Sequence, residues 1–283
     1  HSKRGGRTQS VRLYRWGLIR YACGMDMRLG NLLEQAGLAC NSAEAPAAET
    51  APGAEEESHG LTSYTPFISV RACGRLWRLQ RAADLETLWN AMLDDPQNFE
   101  DERLPYWTEL WPSSIALCRW LEERRDEIAG RLCLDLGCGL GLTAMVGQWL
   151  GAQVIGMDYE EEALHFASLN ARHNGVTSPL WTVMDWRQPA VRPRSIFRLW
   201  GGDIMYEKRF VAPVMHFLSH VLADDGAAWV AEPGRVYEAF LQALHGGGLE
   251  GRRVFTERVE PLYAQPVPVT VAVWEIRRRV RPA

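Results

Sequence analysis

From residue 105 onward the apolar positions switch repeatedly between two periods. Short apolar runs of the kind found in buried strands lie at Leu132–Leu136, Val154–Met157, Leu180–Met184, Ile196–Gly201 and Ala227–Ala231. Between them, helical spacing predicts helices at Leu142–Leu150, Glu160–His173, Phe210–Leu222 and Val236–His245. An earlier helix starts at Pro112 and turns Ile115, Leu117, Cys118 and Leu121 toward a core. The last two strand candidates, Arg252–Glu257 and Val267–Ile276, have no helix between them and read as an antiparallel hairpin at one edge. Strands alternating with helices predict an α/β fold with a mostly parallel sheet and helices on both faces. Upstream, Phe67–Val70 and Leu76–Leu79 flank Cys73-Gly74 as a hairpin. Asp84 then caps a helix with Leu85, Leu88, Trp89 and Met92 on one face.

Composition separates this pattern from what precedes it. Residues 39–60 are Ala, Glu and Pro with little to bury, which predicts a disordered linker. The expected organisation is a tail and linker at 1–60, a hairpin-and-helix extension at 61–110 and the main domain at 111–283. The net charge of −4 hides a polarity, since residues 1–38 carry seven basic against two acidic side chains and residues 39–60 carry five Glu. Residues 3–21 are Arg-rich and read as a leader outside the fold, with a transit peptide or a nucleic-acid-binding arm as the alternatives. No apolar run approaches the ~20 residues of a membrane span, and the overall charge gives no signal for nucleic acid or membrane binding. Six Cys without a CxxC pair predict free thiols and a reducing, cytoplasmic setting. The expected state is a monomer.

The chemistry concentrates in one turn, Asp135-Leu136-Gly137-Cys138-Gly139-Leu140-Gly141, where an apolar strand ends in an acid and runs into a helix. Glycines there let a ligand approach the backbone, and the helix N-terminus offers free N–H groups. A dinucleotide turn needs GxGxxG, whose third glycine would fall at Leu142. The spacing is GxGxG instead, and Asp135 beside it suits a ligand carrying an ammonium and a sulfonium. S-adenosylmethionine (SAM) is such a ligand. Asp158, which ends the next strand, is placed to accept both ribose hydroxyls. After the third strand, Asp185 can accept from an adenine amino group and Trp186 can pack on the ring.

On these residues the chain resembles the seven-β-strand, class I SAM-dependent methyltransferases, which implies a Rossmann-like seven-stranded sheet. More narrowly it resembles the protein-lysine methyltransferase family with a DxxY motif. The likeness rests on Pro105-Tyr106-Trp107-Thr108-Glu109-Leu110-Trp111-Pro112 before an apolar helix, and on Gly201-Gly202-Asp203-Ile204-Met205-Tyr206 after the fourth strand. It implies that Trp111, Gly137, Gly139, Asp158, Trp186 and Gly202 contact the cofactor, to which the residue reading adds Asp135, Gly141 and Asp185. Many family members carry Glu at the position of Asp135 and Ala at that of Gly202. Both changes are expected to be harmless.

Asp203 and Tyr206 are the expected catalytic residues, Asp203 orienting an incoming lysine amine and Tyr206 shaping the pocket or accepting a hydrogen bond. Methyl transfer from a sulfonium requires positioning and the exclusion of water, and neither a metal nor a covalent nucleophile. The resemblance implies a protein substrate as the partner, and neither metal, membrane nor nucleic acid is expected. His216 and His220, at i and i+4, lack an evident third metal ligand. The Asn-Pro-Pro-Tyr loop of enzymes that modify adenine or glutamine amides is absent. A small-molecule or RNA methyltransferase, or a non-catalytic SAM-binding protein, are the alternatives.

Overall fold

A computed structural model describes residues 64–93 and 104–279. The expected tail and linker at 1–60 fall outside the described residues. The hairpin forms from β1 (Phe67–Ala72) and β2 (Arg75–Gln80), followed by helix α1 (Leu85–Leu93). Asp84 caps α1 as its sequence position predicts, accepting from Thr87 N at 2.7 Å. A 3-10 turn (Pro105–Thr108) leads into α2 (Pro112–Glu123) and the short α3 (Arg125–Ile128).

The chain then alternates through β3 (Leu132–Leu136), α4 (Leu142–Trp149), β4 (Gln153–Asp158), α5 (Glu161–His173), β5 (Leu180–Val183) and β6 (Ile196–Gly202). It closes with α6 (Lys208–Val221), β7 (Leu222–Glu232), α7 (Tyr237–Gly246), β8 (Leu249–Val259) and β9 (Val269–Arg278). The seven strands lie in the order β5-β4-β3-β6-β7-β9-β8. β3 to β7 run parallel to their neighbours, whereas β9 is antiparallel to both β7 and β8. This is the expected Rossmann-like sheet with its antiparallel edge. β7 begins earlier than Ala227, because Leu222 already pairs with Ile196 across an irregularity in the ladder.

Alternate residues of β3 explain why both faces need cover. Cys133 joins a hydrophobic cluster with Leu117 and Leu121 of α2 and Met145 of α4. Leu134 and Leu136 join a second one with Phe217 of α6 and Phe240 of α7. Ordering fails at one point of the sheet: from β3 the chain builds outward to β5, then returns to place β6 on the other side of β3. Loops leaving β3 and β6 therefore diverge and open a crevice at their carboxyl ends.

The hairpin is built into this core. Ile68, Val70, Trp77 and Leu79 are buried in the same cluster as α2 and α4. Asn170 of α5 and Asn174, which caps its C-terminus, bind the main chain of β2 as a third strand would. Asn174 accepts from Arg78 N at 2.9 Å and donates to Arg78 O at 2.7 Å. Asn170 accepts from Gln80 N at 2.6 Å and donates to Gln80 O at 3.1 Å. Its amide also donates to Leu140 O at 3.0 Å, inside the glycine turn. A buried ion pair between Arg81 and Glu109, with Leu85 N donating to the same carboxylate at 3.1 Å, fixes the approach to α2.

Asn170 thus satisfies three main-chain groups with one fully buried side chain. Replacing it by Ala is expected to cost about 2–4 kcal/mol of unfolding free energy in denaturant titration. Asn170→Asp retains the acceptor and loses both donations, so it should rescue little of that loss. A full rescue by Asp would show that the two carbonyl contacts contribute nothing.

Candidate functional site

The crevice between the β3 and β6 loops holds a cavity of about 390 Å³. Its walls include nine of the eleven residues expected from the sequence: Trp111, Gly137, Gly139, Asp158, Asp185, Trp186, Gly202, Asp203 and Tyr206. Asp135 and Gly141 stand behind the wall.

The glycine turn has the expected backbone. Gly137, Gly139 and Gly141 all have positive φ, at 66°, 49° and 84°. At Gly137 a Cβ would come within 2.8 Å of the Ile204 side chain, so the absence of a side chain lets the β3 and β6 loops touch. At Gly141 it would come within 2.8 Å of Ala167 Cβ, which makes this glycine a packing residue between α4 and α5. Asp158 is tied to the turn directly, with Gly139 N donating to Oδ2 at 2.8 Å and Glu160 N to Oδ1 at 3.0 Å. Burial raises its pKa, and these N–H donors oppose the rise.

Asp135 does not line the cavity. It is fully buried, and Thr143 Oγ1 donates to its Oδ2 at 2.6 Å. Desolvation pushes its carboxyl up to about 7, against the Thr143 hydrogen bond and the neighbouring Trp200 side chain. Asp185 lies on the wall but is engaged by its neighbour. Arg187 Nε reaches its two oxygens at 3.0 and 2.9 Å, and Arg187 N donates at 2.8 Å. Trp186 meets Phe210 edge-on, with ring centres 5.9 Å apart.

Across the cavity, β6 ends in Gly202 and Asp203. A Cβ on Gly202 would meet Ser113 C and Ser114 N at 3.3 Å, so the glycine admits the first turn of α2 close to the strand. Asp203 adopts φ 56°, unusual for a residue with a side chain, and its N–H donates to Ala231 O at 2.9 Å. Its carboxylate is buried, with Ser113 Oγ donating to Oδ2 at 3.1 Å and Arg235 to Oδ1 at 2.5 Å. Burial pushes this carboxyl up to about 6, and Arg235 works against that rise. Aromatic rings flank it. Tyr206 stands 5.1 Å from Tyr106 and 4.7 Å from Phe210 between ring centres, and Tyr106 stands 5.9 Å from Trp111. Tyr206 has its phenol pKa raised, chiefly by burial.

Sequence reasoning missed Ser113, Phe210 and Arg235. Phe210 lines the cavity from α6 and Ser113 lies behind the wall on α2, both on apolar-patterned helices whose spacing does not separate them from core. Arg235 follows Glu232-Pro233-Gly234, a strand-end turn whose signal was legible but attached to no chemistry. His220 is accounted for without metal, its Nε2 lying 3.0 Å from Val191 O. Among the described residues no group of three or more His, Cys, Asp or Glu could hold a metal ion, and no helix is long and apolar enough to cross a membrane.

Comparison with known proteins bears on the first half of this site. Residues 114–195 match the family model of ribosomal protein L11 methyltransferase (PrmA). A protein of that name from Xanthomonas euvesicatoria pv. vesicatoria is 34% identical over 137 residues, which cover 47% of this chain and 40% of the relative. Another from Dechloromonas aromatica is 31% identical over 157 residues, covering 54% of this chain and 49% of the relative. The chain thus spans less than half the length of these two relatives. A crystal structure of ribosomal protein L11 methylase from Lactobacillus delbrueckii subsp. bulgaricus aligns with 53% of this chain and 70% of that one, at 17% identity and a TM-score of 0.42.

The buried Asp135 makes stability depend on pH. Folded, it holds a proton up to about pH 7, whereas the unfolded chain releases it near 3.8. The stability it contributes is complete below about pH 4 and is lost as the pH rises through 7. Asp135→Asn carries no ionisable proton. It should match the parent near pH 4 and exceed it at pH 8 by roughly 1–3 kcal/mol in thermal or urea unfolding. A difference independent of pH would contradict this origin.

Proposed function

We propose that this chain is a SAM-dependent methyltransferase that N-methylates a lysine side chain of a protein substrate. One observation carries the reading. The glycine turn and Asp158, from the half of the sheet that begins at β3, share a cavity with Asp203 and Tyr206, from the end of β6.

The residues fit the cofactor. Gly137 and Gly139 leave the turn without side chains, and Asp158, held against it by Gly139 N, is placed to accept ribose hydroxyls. Trp111 and Trp186 offer flat apolar faces on the same wall. Glu109 apart, which is paired with Arg81, five acidic residues line the cavity (Asp158, Glu160, Asp185, Asp203 and Glu207) against Arg187 and Arg235. That imbalance favours a cationic ligand over a pyrophosphate. Bound there, SAM supplies a methyl group on a sulfonium that is open to in-line displacement.

The acceptor side follows from Asp203 and its surroundings. With a carboxyl held near 6, Asp203 is mostly ionised at neutral pH and accepts an N–H from the lysine amine. Tyr206, its phenol kept neutral, forms a wall with Tyr106 and Phe210 that encloses the alkyl chain and keeps water away. Asp203-Ile204-Met205-Tyr206 is then the DxxY motif of the lysine methyltransferases the sequence resembles. The names of the relatives point to a protein acceptor. The segment matched by the family model ends at residue 195, ahead of Asp203, so the identity of that protein does not come with it.

The test uses radiolabelled SAM, the full chain and host lysate, with ribosomal protein L11 as one defined acceptor. A labelled protein band that survives RNase supports the reading, whereas label confined to RNA or small molecules overturns the lysine assignment. In calorimetry, Asp158→Ala should weaken SAM binding by more than about tenfold, a loss of roughly 1.4 kcal/mol. Asp203→Ala should keep SAM binding and reduce transfer by about a hundredfold or more. Equal loss of SAM binding in both variants would contradict this division between the two acids.

A further inference from the structure

The turn after β7 aims a cation at the acceptor side of the cavity. Glu232 is buried at the end of β7, where one carboxylate oxygen accepts from Trp274 Nε1 at 3.1 Å and the other from Gly234 N at 2.5 Å. Gly234 takes a left-handed φ of 91°, which closes the turn. The chain is thereby turned back, and Arg235 reaches over the cavity. Its guanidinium donates to Asp203 Oδ1 and lies 5.6 Å from the centre of the Trp111 ring. Ser113 already holds Asp203 Oδ2. The carboxylate that should receive a lysine amine is therefore occupied by a resident cation whose side chain is one-third exposed.

An ammonium arriving at Asp203 would meet the charge of Arg235 directly, and the low local dielectric makes that repulsion larger than in water. A neutral amine meets no such penalty. It needs only an acceptor for one N–H, and carboxylate lone pairs remain available for that alongside Ser113 and Arg235. We infer that Arg235 is a positioning residue, which balances the charge of Asp203 so that this carboxylate receives the acceptor lysine as a neutral amine and does not grip it as an ammonium. The inference rests on the reading of the cavity as a lysine methyltransferase site. The proton leaves the ammonium for water before the amine is seated, so the nitrogen arrives with the lone pair that forms the new N–C bond. No chain residue has to act as the base.

The surrounding charges do not duplicate this role. Asp203 also faces Glu232 from the end of β7. Glu207 and Tyr206 flank it from the loop after β6, and Tyr106 from the 3-10 turn. Asp158 and Glu160 after β4, Glu109 before α2 and the Asp185–Arg187 pair complete the walls. Apart from Arg187, which is paired with Asp185, Arg235 is the cation of this wall.

A direct test needs no catalysis. n-Butylamine, a copy of the lysine side chain, is titrated into the full chain with and without SAM, following tryptophan fluorescence from pH 7 to 9. Over that range the neutral fraction of an alkylamine rises about tenfold per pH unit. The affinity of the parent protein for total amine should rise with it. Arg235→Gln frees Asp203 to hold the ammonium, so its affinity should change less than about threefold over the whole range. Arg235→Lys keeps the charge and should restore the steep dependence, which a merely structural contact would not require. A steep profile in Arg235→Gln, or a flat one in the parent, overturns the inference. Failure of the parent to methylate any lysine overturns the function above, while the butylamine profiles still report what Arg235 does to an amine.

Discussion

At the carboxyl ends of β3 and β6, glycines let the main chain pack close to its neighbours. Gly137 brings the β3 turn against Ile204, and Gly202 brings the end of β6 against the first turn of α2. The rest of the site depends on these two approaches. The first narrows the crevice to one cavity, and the second carries Ser113 to within hydrogen-bond reach of Asp203. Without the second approach the Asp203 carboxylate would lose one of the two donors that accompany its burial.

Carboxylates dominate what this packing encloses, and each is handled differently. Asp158 accepts from main-chain N–H groups of its own loop and of the glycine turn, which oppose the rise in pKa that burial imposes. Asp203 has a hydroxyl and a guanidinium. Asp135 has a hydroxyl and no nearby cation, so burial prevails and it stays protonated over much of the accessible pH range. The same side chain at three strand ends thus serves as a hydrogen-bond acceptor facing the cavity, as the seat of an ion pair, and as a neutral buried anchor beneath the turn.

How much of this could be read from the sequence follows from which forces act locally. Period and turn chemistry are local, so the main strands and helices, the edge hairpin and the positive-φ glycines appeared where the pattern placed them, while the start of β7 and the short α3 did not show in it. Strand ends in an α/β fold converge by topology, which is why Asp158, Asp185 and Asp203 could be assigned to one crevice before any coordinates. What strands do not specify is depth. Asp135 and Gly141 lie in the same motif as Gly137 and Gly139 but face the interior, and no spacing rule separates the two orientations across a turn. Arg235 escaped for a related reason. Its role depends on a long side chain crossing from one strand end to another, guided by a Glu232–Trp274 hydrogen bond between residues 42 apart.

The tie from Asn170 to Leu140 O carries a consequence for how the protein fails on heating. The same side chain clasps β2, so the shape of the glycine turn is maintained partly from outside the sheet. Peeling the hairpin from α5 is a sub-global opening that exposes only part of the core, and such openings lie below global unfolding in free energy. An opening of the hairpin therefore removes one of the contacts that fix the glycine turn while the sheet is still intact. Substitutions on β2 thus reach the cavity wall at Leu140 through the side chain of Asn170.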